Sequence, residues 1–170
     1  MFYTKDNFLS KDECNYLINY FKNSSEKFLY EINNTVVVRL CRPTTEDQWM
    51  DNLFQYIRTK CSAISDEEVI CDNIELVQWK PGTFMRPHKD KEDICSAIIY
   101  LNDDFSGGET VVRLNDSKGQ LITVEPKQGK MLAFSNGTDN GYYHWVNTVK
   151  ESCRYSLGFW FVPPSWMSRS

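Results

Sequence analysis

At 170 residues with 41% apolar side chains, the chain has the size and content of one ordinary domain, able to bury roughly 70% of its unfolded surface. Its formal charge of −4 and the lack of any Lys/Arg-rich run argue against a nucleic-acid binder, and no apolar run is long enough to span a membrane. The start, "MFYTKDNFLSKDEC", is charged where a secretory leader needs an apolar stretch, so the expectation is an intracellular, cytoplasmic protein with no membrane segment.

Six cysteines (14, 41, 61, 71, 95, 153) are scattered and form no CxxC pair. In a chain without an export signal they read as reduced thiols, and Cys14, Cys61 and Cys95 sit in apolar patterns suited to small buried residues. Zinc-type cysteine spacing is absent.

"LSKDECNYLINYFKN" predicts a helix. Ser10 with Glu13 fits a capping box, Leu9 can staple onto Cys14, and Cys14, Leu17, Ile18 and Phe21 line one face. "KFLYEI" and "TVVVRLC" flank "NN" and predict a hairpin. "TTEDQWMDNLFQYIRTKCSAI" predicts a second helix, with Thr45 and Gln48 as its cap and Trp49, Leu53, Phe54, Ile57 and Cys61 as its apolar stripe. Both helices are expected to pack on a sheet.

From about residue 74 the hydrophobic period changes to two. "IELVQWK", "CSAIIYL", "ETVVRL", "QLITVEP", "KMLAFS", "GYYHWV" and "RYSLGFWFV" are short strand candidates, and turn-forming stretches such as "SGG" and "NGTDNG" separate them. Many short strands suggest a sandwich, jelly roll or barrel. Several strands are apolar on both faces, which fits helices outside and a filled, half-polar interior.

The chain holds only two histidines. His88 lies in "FMRPHKDKED" with Asp90 two positions on, and His144 lies in "NGYYHWVN". Side chains two apart on an extended segment point the same way, so His88 and Asp90 can aim at one place. With a histidine from a distant strand they match the two-His, one-carboxylate face of non-heme Fe(II) sites, whose remaining positions stay open. Read alone, HxD is more often a solvated loop pair, and a lone His among aromatics is more often a satisfied core residue.

Arg154 lies ten residues after His144. Arg154, Ser156, Gly158 and Trp160 share one face of their strand, while Tyr155, Leu157, Phe159 and Phe161 share the other, the core face. A buried Arg demands an anion, and a guanidinium binds a carboxylate bidentately. The competing reading is a strand-edge Arg paired with a protein acid. In "CSAIIYLN", Ser96, Ile98 and Tyr100 face one way, so the Tyr100 hydroxyl can reach the same anion or serve simply as a core aromatic.

"DNFLSKDEC", "WKPGTFMRPHKD", "IIYLNDDFSGGET", "VEPKQGKMLAFSNG", "YYHWVNTV" and "CRYSLGFWF", in this order, resemble the 2-oxoglutarate and Fe(II)-dependent dioxygenases, especially their prolyl 4-hydroxylase-like branch. The resemblance implies a mainly β fold: a double-stranded β-helix, or jelly roll, packed against N-terminal helices. It implies one catalytic domain over 1–170, with 1–73 supplying the supporting helices and hairpin and 74–163 the jelly-roll core. His88, Asp90 and His144 would bind iron. Arg154, Tyr100 and Thr110 would hold the distal carboxylate of 2-oxoglutarate, with Ile98 and Trp160 lining that pocket. Trp79, standing where many relatives have Tyr, would lie near the co-substrate's inner end. The "SGG" turn at 106–108 would let the strand bearing Thr110 approach closely.

The implied reaction uses dioxygen to convert 2-oxoglutarate to succinate and hydroxylate a substrate carbon, with ascorbate supporting activity. A protein or peptide substrate, foremost proline, is the first reading; a free amino acid or other small molecule is the alternative, and a non-catalytic jelly-roll binding module a third. Many peptidyl-prolyl members carry Arg seven residues before the strand Tyr, where this chain has Asp93. Nucleic-acid demethylating relatives usually carry a second Arg six residues after the anchoring one, where this chain has Trp160. Retention of Asp90 argues against halogenation.

Overall fold

The computed structural model describes residues 2–40, 48–65, 68–90, 94–115, 118–137 and 141–165. The elements run β1 (Phe2–Lys5), α1 (Lys11–Asn23), β2 (Phe28–Tyr30), β3 (Thr35–Arg39), α2 (Gln48–Ser65), β4 (Ile70–Trp79), β5 (Met85–His88), β6 (Cys95–Tyr100), β7 (Ser106–Gly107), β8 (Thr110–Arg113), β9 (Leu121–Val124), β10 (Met131–Ser135), β11 (Tyr143–Val146), β12 (Val149–Glu151) and β13 (Arg154–Val162). No helix among these residues is long and apolar enough to cross a membrane.

The N-terminus of α1 forms as the sequence predicts. The Ser10 hydroxyl accepts from the Glu13 N–H at 3.2 Å, and the Glu13 carboxylate accepts from the Ser10 N–H at 2.7 Å. Two of the helix's unpaired donors are thereby satisfied. Glu13 also accepts from the Trp49 indole N–H at 3.1 Å, which ties α1 to α2. α2 is described from Gln48; the predicted cap residue Thr45 and the side chain of Cys61 lie outside the described residues.

The architecture is a jelly roll. The larger sheet has the order β1-β10-β6-β13-β4-β3-β2 and the smaller the order β5-β11-β8-β9. On the helix side of the larger sheet, Leu17 of α1 and Ile57 of α2 pack with Leu76, Ala97, Ile99, Leu157, Phe159 and Phe161 into one core. Fully burying a Leu or Ile side chain contributes about 2 kcal/mol, so this layer is what holds the helices to the sheet. Between the sheets lie two smaller clusters, one around Val77, Trp79 and Val146, the other around Tyr100, Val112, Leu132 and Phe134. Cys14 and Cys95 are buried free thiols, Cys153 is a half-buried free thiol, and Cys71 is half-buried.

Four short strands, β1, β5, β7 and β12, add to the predicted set. β1 pairs with β10 at the sheet edge, and the two-residue β7 pairs with β12. Gly107 and Gly108 have φ of 71° and 66°, the left-handed region that L side chains avoid. A side chain at Gly107 would run into the Thr148 carbonyl, so the "SGG" turn does require glycine for close approach.

Candidate active site

β5 and β11 are antiparallel neighbours, and their register sets His144 opposite His88. The two imidazole rings stand 4.2 Å apart between centroids. Asp90, just past the end of β5, turns back toward both. Its Oδ1 is 3.5 Å from His88 Nε2, and its Oδ2 is 3.6 Å from His144 Nε2. One donor atom from each of the three residues falls within 4.8 Å of the others.

The outer nitrogens decide what the inner ones can do. His88 Nδ1 lies 2.9 Å from the Arg86 carbonyl and His144 Nδ1 lies 3.2 Å from the Tyr142 carbonyl. A carbonyl only accepts, so both Nδ1 atoms carry a proton, and a neutral ring held this way turns its Nε2 lone pair inward. Burial pushes His144 down to about 4, against the pull of the Asp90 charge, so it is neutral at pH 7. The His144 lone pair and the Asp90 carboxylate therefore crowd one spot with no hydrogen to bridge them. A divalent cation relieves that repulsion, and this N,N,O donor set suits Fe(II).

Opposite, on β13, Arg154 is 1% exposed. Its guanidinium donates to the Gly108 carbonyl at 2.9 Å and the Thr110 hydroxyl at 3.4 Å, while Nε has no partner. Trp79 and Tyr100 pack against it, ring centroids 5.0 and 4.9 Å from the guanidinium carbon. The Tyr100 hydroxyl meets Thr110 Oγ1 at 2.7 Å, and burial raises its pKa, so the phenol remains a donor. Burial lowers Arg154 from its ordinary value, but a guanidinium stays cationic at neutral pH. Among the described residues no carboxylate forms a salt bridge with Arg154. The reading of an edge Arg paired with a protein acid thus finds no partner among the described residues, and a buried guanidinium of this kind can take a carboxylate.

The triad and the Arg154 pocket open into one cleft of about 930 Å³. Ile98 and Trp160 line it, both half-buried, as do Thr110 and Trp79. Trp79 lies opposite Arg154 across the β4–β13 pair, and its indole N–H donates to Ser156 Oγ at 3.2 Å. Its stacking on the guanidinium thus sets it at the arginine side of the pocket. Exposed Tyr30, Ile32 and Phe84 form an apolar rim, beside the Arg39–Glu75 ion pair of 2.9 Å. Asp93 lies outside the described residues.

Sequence reasoning missed three partners here. The Gly108 carbonyl leaves no trace in residue type. Ser96 and Asn136 reach Asp90 by a pairing of β6 with β10 that no local spacing encodes.

A jelly roll with a two-His, one-carboxylate cluster beside a buried, unpaired arginine is the class of a non-heme iron oxygenase taking a carboxylate co-substrate. Residues 74–162, more than half the chain, match the model of the 2OG-Fe(II) oxygenase superfamily, and the chain belongs to that family.

Prolyl 3-hydroxylase 2 of Homo sapiens is 39% identical over 67 residues, 39% of this chain but 9% of that protein. Prolyl 3-hydroxylase 1 of Gallus gallus gives the same identity over the same length. The matched stretch thus covers under a tenth of the length of these relatives. A Pseudomonas putida prolyl-4-hydroxylase structure superposes with a TM-score of 0.76 at 22% identity, covering 95% of this chain and 92% of that one. A Trichoplax adhaerens prolyl hydroxylase in complex with a hypoxia inducible factor peptide fragment superposes with a TM-score of 0.81 at 13% identity, covering 99% and 86%. These two share the fold.

Proposed function

We propose that this chain is a 2-oxoglutarate- and Fe(II)-dependent dioxygenase that hydroxylates a protein or peptide, foremost at proline, within one catalytic unit. The observation that carries this reading is that one cleft joins the His88–Asp90–His144 cluster to the buried Arg154.

His88, Asp90 and His144 would hold Fe(II) through Nε2, a carboxylate oxygen and Nε2. Their Nδ1–H bonds to backbone carbonyls fix the ring planes in advance, so little reorganisation is needed. Arg154, Tyr100 and Thr110 would take the far carboxylate of 2-oxoglutarate, giving the buried guanidinium a counter-charge and orienting the co-substrate toward the triad. Trp79, Ile98 and Trp160 would wall this pocket and keep water out. When bound, iron and 2-oxoglutarate supply the oxidation: one atom of dioxygen ends in succinate and the other in the substrate's new hydroxyl.

Support for a polymeric substrate comes from the cleft's size and its exposed apolar rim, and from the names of the relatives. The prolyl 3-hydroxylases point to the same residue class. Trp160 in place of a second Arg, with the acidic overall charge, speaks against nucleic acid.

The test is to supply Fe(II), ascorbate and 2-oxoglutarate and follow succinate together with an oxygen-sized mass gain on proline-containing peptides and on free proline. Gain on peptides alone supports the reading. Gain on free proline alone transfers the enzyme to small molecules. Absence of succinate with every substrate, from a folded and metal-loaded protein, overturns it.

A further inference from the structure

We propose that Ser96 and Asn136 are positioning residues that tie down one oxygen of Asp90 and leave the other to the metal. The inference rests on the reading of Asp90 as a ligand.

The geometry is a short directional chain. Asn136 follows β10, next to Ser96 of β6 through the Phe134–Ser96 register. Its backbone N–H donates to the Ile94 carbonyl at 2.8 Å, and the N–H of Gly137 donates to the Asp90 carbonyl at 2.9 Å. These bonds pin the chain of Asp90 to the end of β10. The Asn136 side-chain amide donates to Ser96 Oγ at 2.6 Å and lies 3.5 Å from Asp90 Oδ2. Ser96 Oγ, having accepted from Asn136, keeps its own proton for Asp90 Oδ2 at 3.3 Å.

Two features show that the direction matters. Ser96 is 2% exposed and Asn136 is 5% exposed, so water does not stand in for either. Asn136 Oδ1 is buried without a partner. Turning the amide over would aim that oxygen at the carboxylate and replace attraction by repulsion. The amide is therefore held with its donors forward, at the expense of an idle acceptor.

Both donors converge on Oδ2. Each oxygen lies near one inward nitrogen, Oδ1 3.5 Å from His88 Nε2 and Oδ2 3.6 Å from His144 Nε2, but among the described residues Oδ1 receives no hydrogen bond while Oδ2 takes both. A carboxylate tied this way offers one oxygen rather than two. That matters because a second carboxylate oxygen on the metal would take up a position the co-substrate or dioxygen needs.

Ser96→Thr and Ser96→Val have the same shape and differ only in the hydroxyl. Calorimetric titration of the purified chain with Mn(II) should show Thr binding within about threefold of the parent and Val weaker by ~10–100-fold, the usual cost of losing an outer-shell partner. Asn136→Ala should fall in the same range, and it decides the matter where the Val variant fails to fold. Equal Mn(II) affinity for folded Val and Thr variants, or parent affinity in Asn136→Ala, overturns the inference. Asp90→Ala separates the two levels. Parent-like Mn(II) binding without that carboxylate sinks the reading of the site itself; loss of binding there, with no difference between Thr and Val, sinks only the roles of Ser96 and Asn136.

Discussion

A β-carbon placed on Gly158 would lie 2.7 Å from the benzo edge of Trp160. The indole folds back over the glycine, and the empty side of Gly158 is what gives it room on the cleft wall. Gly158→Ala should therefore displace Trp160 and lower turnover by ~10–100-fold, the scale on which small misplacements act. The substitution should cost far less in a Trp160→Ala background, because the two residues then no longer collide. Rates of substrate mass gain in the four proteins of this cycle check the claim.

Arg154→Ala should raise the 2-oxoglutarate concentration needed for half-maximal succinate formation by ~100-fold, equivalent to about 2.7 kcal/mol. Arg154→Lys keeps the charge but loses the planar fork, and Trp79 and Tyr100 then flank a slimmer group. Its effect should fall between the parent and Ala. Steady-state titration of the co-substrate distinguishes the three.

Tyr100 and Thr110 act as one unit. Tyr100→Phe removes the hydroxyl that meets Thr110 Oγ1 at 2.7 Å. It also strips the partner of the Thr110 N–H. A loss of about 1–2 kcal/mol in stability is expected from a broken buried hydrogen bond. Thr110→Val should cost a similar amount, and the double variant should cost clearly less than the sum. Denaturant unfolding of the four proteins measures the coupling.

The capping carboxylate gives a pH dependence away from the site. Bonding to the Ser10 N–H foremost, and then to the Trp49 indole, holds Glu13 below its ordinary value. Its contribution is therefore present above the ordinary carboxylate range and is lost as pH falls through the lowered folded-state value. Thermal melts should show Glu13→Gln less stable than the parent at pH 7. The gap should close as the pH drops below about 4. A gap that widens in acid contradicts the assignment.

The parts of this fold legible in the sequence were those with a local signature. The Ser10–Glu13 box announces α1, and the two-residue period marks β4, β6, β10 and β13. Alternation along β13 separates Arg154 and Ser156 from Leu157 and Phe159, and the structure sorts them the same way. β1 and β5 escaped because four residues each carry too little pattern, and β7 and β12 are shorter still. His88 and Asp90 were legible by spacing, while the facing of His144 to His88 is a matter of register between distant strands. Ser96 was visible as a face-mate of Tyr100. Its bond to Asp90 was not, since it depends on where the chain goes after His88.

β13 lies inside the larger sheet, paired on one flank with β4 and on the other with β6. Slipping it by a single residue would swing the guanidinium into the helical layer and send phenyl rings into the cleft. The proposed anchor for the co-substrate and the keel of the fold are thus written on alternate letters of one strand. Neither can drift without the other, so variation that retunes the substrate while sparing the chemistry has its freest ground at the cleft rim, around Tyr30, Ile32 and Phe84.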